Sequence, residues 1–238
     1  MPNPYFSFKK FTVYHDKCAM KVCTDACILG AWVAERFSQP NAYVLDIGSG
    51  SGLLSLMLAQ KTAAVIHGIE KDKAAFLQSQ QNIMQSQWNN RIEVFNGDAV
   101  DFRFPRRYNF IITNPPFYSN DLKSGIPEKN IAKHDTGLTL DQLAYVIGEN
   151  LTDDGIVCIL LPYHRTEQYE LLSQQNGFFL QEKLLIKQTP RHDYFRSIMH
   201  FGRQKKFSPA LHELTIKDEA GAYTPKFVDI LKDYYLHL

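Results

Sequence analysis

The chain has 238 residues, 45% of them hydrophobic and 21% charged, which is enough to bury a full core and excludes a disordered or fibrous protein. Its net charge of +1 neither demands nor excludes a nucleic-acid partner, because a local basic face can coexist with a neutral total. The four cysteines, Cys18, Cys23, Cys27 and Cys158, form no CxxC pair, and no apolar run is long enough to span a bilayer; both features predict a reduced, cytoplasmic protein without a metal centre.

Phe6, Phe8, Phe11 and Val13 alternate imperfectly with polar residues, predicting a short strand or hairpin at the start. Thr24 and Asp25 are placed to cap a helix running to about Phe37, with an apolar stripe of Ile28, Leu29, Trp32 and Val33. From there strands over 42–48, 64–70, 91–98, 108–114 and 155–162 alternate with helical stretches over 53–62, 72–88, 139–150 and 166–175. Such alternation predicts a doubly wound α/β fold, a mostly parallel sheet covered on both faces. Segments 178–188 and 195–204 lie too close together for a crossover helix, so they should pair as an antiparallel ribbon. A short strand, a turn and a helix from Pro225 close the chain. One domain over 1–238 is expected: an N-terminal extension (1–37), a core sheet (42–204) and a C-terminal extension (205–238).

Two strand ends carry the chemistry. In "VLDIGSGSGLLSL" Asp46 ends the first core strand and Gly48, Gly50 and Gly52 follow at alternate positions, where glycine lets the backbone approach a ligand closely. This GxGxG spacing departs from the dinucleotide pattern GxGxxG. Glu70 at the next strand end can accept from both ribose hydroxyls, and Asp98 at the third can accept from an adenine amino group. The combination resembles the class I S-adenosylmethionine-dependent methyltransferases. That resemblance implies S-adenosyl-L-methionine as cofactor, the glycine loop at its methionine portion, and a seven-stranded sheet in the order 3-2-1-4-5-7-6.

The fourth strand ends in "NPPF", Asn114 to Phe117, where the prolines suit a strand end and would disrupt a strand middle. It resembles the [N/D]PP[Y/F] signature of methyltransferases acting on planar exocyclic amino nitrogens: adenine N6, glutamine side chains or guanine N2. By resemblance Asn114 and Pro115 supply two oxygens to the amine, Pro116 fixes the turn, and Phe117, with Tyr118 beside it, faces the base. The polar loop 119–137 after this corner, with His134 beside Asp135, reads as a lid or substrate surface. Between Lys183 and Lys206 seven Lys/Arg residues, including Lys187, Arg191, Arg196, Lys205 and Lys206, face one acid, Asp193. His192, Tyr194 and Phe195 interrupt them, so the ribbon is either a solvated face or a surface for phosphates and unpaired bases.

Over nearly its full length, from "FTVYHDKCAMKVCTDACILGAW" through "LDIGSGSGLLSLMLAQ", "NPPF" and "AKHDTGLTLDQL" to "ELTIKDEAGAYTPKFVDILKDYYL", the chain is similar to the tRNA1(Val) (adenine-N6)-methyltransferase family. The resemblance implies tRNA as partner, adenine 37 as target, and Lys21 and Thr24 bordering the cofactor pocket. Cys23 stands where glycine is expected, and Phe117 where tyrosine is common. Other substrates of the same chemistry (rRNA or DNA adenine, a protein glutamine) and a non-catalytic RNA-binding protein of this fold remain open from sequence.

Overall fold

In a computed structural model, residues 3–37, 39, 41–115 and 138–238 are described. A hairpin of β1 (Tyr5–Ser7) and β2 (Thr12–Tyr14) leads into α1 (Thr24–Arg36). Then come β3 (Tyr43–Ile47), α2 (Leu53–Lys61), β4 (Val65–Glu70), α3 (Lys73–Met84), β5 (Ile92–Asn96) and β6 (Tyr108–Thr113). The chain continues through α4 (Leu140–Asn150), β7 (Leu151–Pro162), a 3-10 turn (Tyr163–Arg165), α5 (Thr166–Gln175), β8 (Phe179–Lys187), β9 (Tyr194–Gly202), β10 (Ala210–Thr215) and α6 (Pro225–Leu231).

The main sheet runs β10-β8-β9-β7-β6-β3-β4-β5. Only β9 is reversed, antiparallel to both β7 and β8. The first seven core strands take the order expected from the resemblance, and β10 adds an eighth by pairing parallel to β8 from Ala210–Glu182 to Thr215–Lys187. Strand periodicity explains the two-sided burial. In β6 and β7, Phe110, Ile112, Cys158 and Leu160 face one core with α1 and α2, while Ile111, Val157, Ile159 and Leu161 face the other with α4 and α5. All parallel strands therefore end on one edge, where open α/β sheets bind their ligands.

Two boundaries move. The long helix stops at Met84 rather than 88, and β7 begins at Leu151, its extra length absorbed by a register shift between Tyr108 and Phe110. Thr24 and Asp25 do not cap α1. Cys23 holds the N-cap position without a side-chain cap bond, and the Asp25 carboxylate accepts from the adjacent Ala26 N–H at 3.1 Å and from Arg196 Nε of β9 at 2.7 Å. Where α1 crosses α2, a Cβ at Gly30 would lie 2.7 Å from Met57 Sδ, so the close helix approach depends on the missing side chain.

The C-terminal extension is part of the core. Phe227, Leu231 and Tyr234 are buried with α1 and α2, and the Tyr234 hydroxyl donates to the Met57 carbonyl at 3.0 Å. Thr224 caps α6 by accepting from Phe227 N–H, with Pro225 in the first turn. Phe227 is fully buried and stacks on Tyr223 with ring centroids 4.6 Å apart. Phe227→Ala should therefore lower unfolding stability by about 3–5 kcal/mol in urea melts; a loss below 1 kcal/mol would mean that this extension is only loosely attached. Among the described residues no helix is long and apolar enough to cross a membrane.

Candidate active site

At the strand-end edge lies a cleft of about 750 Å³, a size typical of small-molecule pockets. Its floor is the loop from Ile47 to Ser51. Gly48 and Gly50 have φ of +72° and +53°, conformations that side-chain-bearing residues rarely adopt, and an added Cβ at Gly48 would meet only open space. Gly52 serves differently. It does not line the cleft; with φ of +81° it makes the left-handed turn into α2, and a Cβ there would meet Ser79 and Ile83 of α3 at ordinary contact distance.

Both oxygens of Glu70 accept loop amides, Oε2 from Gly50 N–H and Oε1 from Asp72 N–H, each at 2.8 Å. Its carboxylate thus braces the loop and lines the cleft with acceptor capacity to spare. Asp98 lines the same cleft and is bonded to Lys71 Nζ at 2.8 Å and to Val100 N–H. The Lys71 bond is the main reason its carboxyl sits below the usual range.

Asp46 is completely buried behind the loop rather than lining the cleft. Its Oδ2 accepts from the Ser55 hydroxyl at 2.7 Å and the Ser55 amide at 3.2 Å, whereas Oδ1 is buried without a partner among the described residues. Burial pushes this carboxyl up to about 7, against the pull of the two Ser55 bonds. An unpaired buried carboxylate oxygen, a bare glycine loop and two carboxylates at successive strand ends fit a cationic, ribose-bearing, adenine-bearing group such as S-adenosylmethionine.

The other end of the cleft is Asn114 and Pro115, one residue beyond β6. Thr113 ties this end to β3 by donating its hydroxyl to the Ile47 carbonyl at 2.9 Å. Asn114 Nδ2 points to Met20 Sδ at 3.4 Å, and Asn114 Oδ1 is buried with no donor among the described residues. The sulfur thus orients the amide, leaving its acceptor without a partner among the described residues. Pro116, Phe117, Tyr118 and His134 lie outside the described residues.

Residues 18–22 form a further wall, of which sequence reasoning named Lys21 alone. Cys18, Met20 and Val22 line the cleft together with Lys21, whose ammonium donates to the His15 and Asp16 carbonyls. Gln78 and Asn82, both buried on α3, pin this segment: Gln78 Oε1 accepts from Lys17 N–H and the Cys18 thiol, and Asn82 pairs with the Tyr14 backbone in both directions. Two large amides four residues apart on a helix face that should be apolar were the available signal. Thr24 does not line the cleft.

The basic ribbon divides. Lys187, Arg191 and Arg196 stand at the cleft end of the sheet, but Arg196 is paired with Asp25, Arg191 with Glu219 at 3.6 Å, and Lys187 sits 5.4 Å from the Tyr194 ring centroid. Lys205 and Lys206 follow the far end of β9, which runs from Arg196 opposite Pro162 to Gly202 opposite Ile156. At about 3.4 Å per residue they lie roughly 20 Å or more from the cleft end, so the fold does not bring them to the site.

Residues 30–154 match the family model described as the methyltransferase small domain. A protein of Phocaeicola vulgatus named tRNA1(Val) (adenine(37)-N6)-methyltransferase is 37% identical over 241 aligned positions, covering 100% of both chains. A protein of the same name from Dyadobacter fermentans is 40% identical over 98% of each. Among solved structures, a "predicted O-methyltransferase" of Agrobacterium tumefaciens superposes with a TM-score of 0.66 over 88% of this chain and 96% of its own, at 16% identity, a likeness of fold alone.

Proposed function

We propose how this site works from one premise: the chain belongs to the tRNA1(Val) (adenine(37)-N6)-methyltransferase family, and it methylates N6 of adenine 37 in tRNA1(Val) with S-adenosylmethionine as donor. The cofactor supplies a sulfonium-bound methyl group, an electrophile that needs only an oriented lone pair. Adenine N6 is a poor nucleophile because its lone pair is delocalised into the ring. Asn114 Oδ1 and the Pro115 carbonyl accept the two N6 hydrogens, localise that lone pair and stabilise the positive charge as the nitrogen–carbon bond forms. The nitrogen then loses one of those protons to solvent. Phe117, as the ring of the NPPF pattern, holds the base flat.

The observation that carries this reading is the buried Asn114 Oδ1, which has no donor among the described residues. Leaving an acceptor unmet in a buried place costs about 1–3 kcal/mol, and a substrate amine relieves it. Glu70 is assigned to the ribose, Asp98 to the adenine amino group of the cofactor, and Asp46 with the loop of Gly48 and Gly50 to its cationic end. An adenine in an anticodon loop is already unpaired, which lowers the cost of drawing it into such a corner. The whole chain acts as one methyltransferase domain, a reading supported by the core shared between the sheet and α6. A cytoplasmic setting is supported by four cysteines that are all free thiols.

The test is methyl transfer from labelled cofactor to total tRNA, ribosomal RNA and DNA in parallel, followed by nucleoside mass analysis and mapping. N6-methyladenosine at position 37 of tRNA1(Val) is the expected product; label confined to ribosomal RNA or DNA rejects the assignment.

A further inference from the structure

We propose that Tyr163, with Tyr194 and Phe195, forms a second nucleotide subsite that stacks an unpaired base flanking the methylated adenine; it rests on the tRNA reading above. A separate concavity of about 370 Å³ lies on the same sheet edge as the cleft. It is lined by Pro162 to Arg165 where β7 ends, and by Tyr194, Phe195 and Arg196 where β9 begins.

Position favours a neighbouring nucleotide. β6 stops at Thr113, opposite Ile159, and leads directly into Asn114 and Pro115. β7 continues three residues further to Pro162, so Tyr163 stands one strand across from the catalytic corner and about 10 Å beyond Thr113. A single strand of RNA laid along this edge passes from one to the other.

The side chains favour stacking over phosphate capture. The rings of Tyr163 and Tyr194 are tilted at 49° with centroids 5.3 Å apart, and Tyr163 is 42% exposed. The Tyr194 hydroxyl donates to Glu213 of β10, which fixes its ring as backing for Tyr163. The cations nearby are largely matched: Arg196 by Asp25, Arg191 by Glu219. Aromatic faces held by such a frame bind bases with little regard to identity. The corner at Asn114 reads an adenine amine but not its place in a loop. A second stacked base supplies the register that selects one adenine.

The experiment uses full-length unmodified tRNA1(Val) carrying 2-aminopurine at position 36 or 38, with wild type, Tyr163→Ala and Tyr163→Trp. Tyr163→Ala should raise the tRNA KM about tenfold while cofactor affinity, which also reports folding, stays within twofold; Tyr163→Trp should restore KM. Fluorescence at one of the two flanking positions should be quenched by wild type and not by Tyr163→Ala. An unchanged KM, or a raised KM with no quench at either position, overturns the subsite. A folded, cofactor-binding wild type that leaves adenine 37 unmodified overturns the functional reading instead, and the quench, measured on binding alone, still decides the subsite.

Discussion

Asn114→Ala will lower the single-turnover rate of methyl transfer about 10²- to 10³-fold while leaving cofactor affinity within about threefold of wild type. The rate follows from what the side chain does. Removing one preorganised partner of a developing charge in a water-poor site costs a factor of this size in comparable sites. The affinity follows from where it stands: the carboxylates assigned to the cofactor are Glu70, which braces the glycine loop, and Asp98, both at other strand ends. Asn114→Asp keeps an acceptor at the same place and should retain more activity than the alanine variant. A rate within threefold of wild type for Asn114→Ala would remove the corner from the mechanism. Met20→Leu offers an internal control, because it removes the sulfur that receives Asn114 Nδ2 without touching the acceptor itself.

The sheet was readable because its strands are buried on both faces and separated by helices, which leaves continuous runs such as Val44–Ile47 and Phe110–Thr113. Its ligand edge was readable because glycines and acids stand at the ends of those runs. Side-chain commitments were harder to foresee. Asp25 looked like a cap from its position before an apolar stripe, but Cys23 holds the cap position and the Asp25 carboxylate is shared between the adjacent Ala26 N–H and a guanidinium from β9, some 170 residues away. The ribbon charges gave no sign of direction along the strand. Reversal of β9 places Arg196 beside the cleft and Lys205 and Lys206 beyond the far end. The wall at Cys18–Val22 depends on Gln78 and Asn82, whose partners are distant in sequence. Local pattern identifies elements and strand-end chemistry, whereas pairing across elements needs the assembled sheet.

Asp46→Asn should separate stability from cofactor binding. A carboxyl raised from 3.8 to about 7 binds its proton more tightly in the folded chain than in the unfolded one. Between those two values the native state holds more protons, so stability falls as pH rises and the deficit is complete above about 7. The gap corresponds to about 4 kcal/mol at full ionisation. Asparagine keeps the acceptor for Ser55 but places an unpaired amide where Oδ1 stands, which returns about 1–3 kcal/mol of the gain. The cofactor-free variant should therefore be about 1–3 kcal/mol more stable than wild type in urea melts at pH 8 and close to it at pH 5. Its affinity for S-adenosylmethionine should fall about tenfold at pH 8, because a neutral amide no longer offers a negative charge behind the loop to a cationic ligand. Wild-type affinity should climb from pH 6 to pH 8 as Asp46 ionises, while the variant lacks that rise. A variant that is less stable than wild type at pH 8, or one that binds the cofactor equally well, would show that Asp46 serves only to anchor Ser55 at the start of α2.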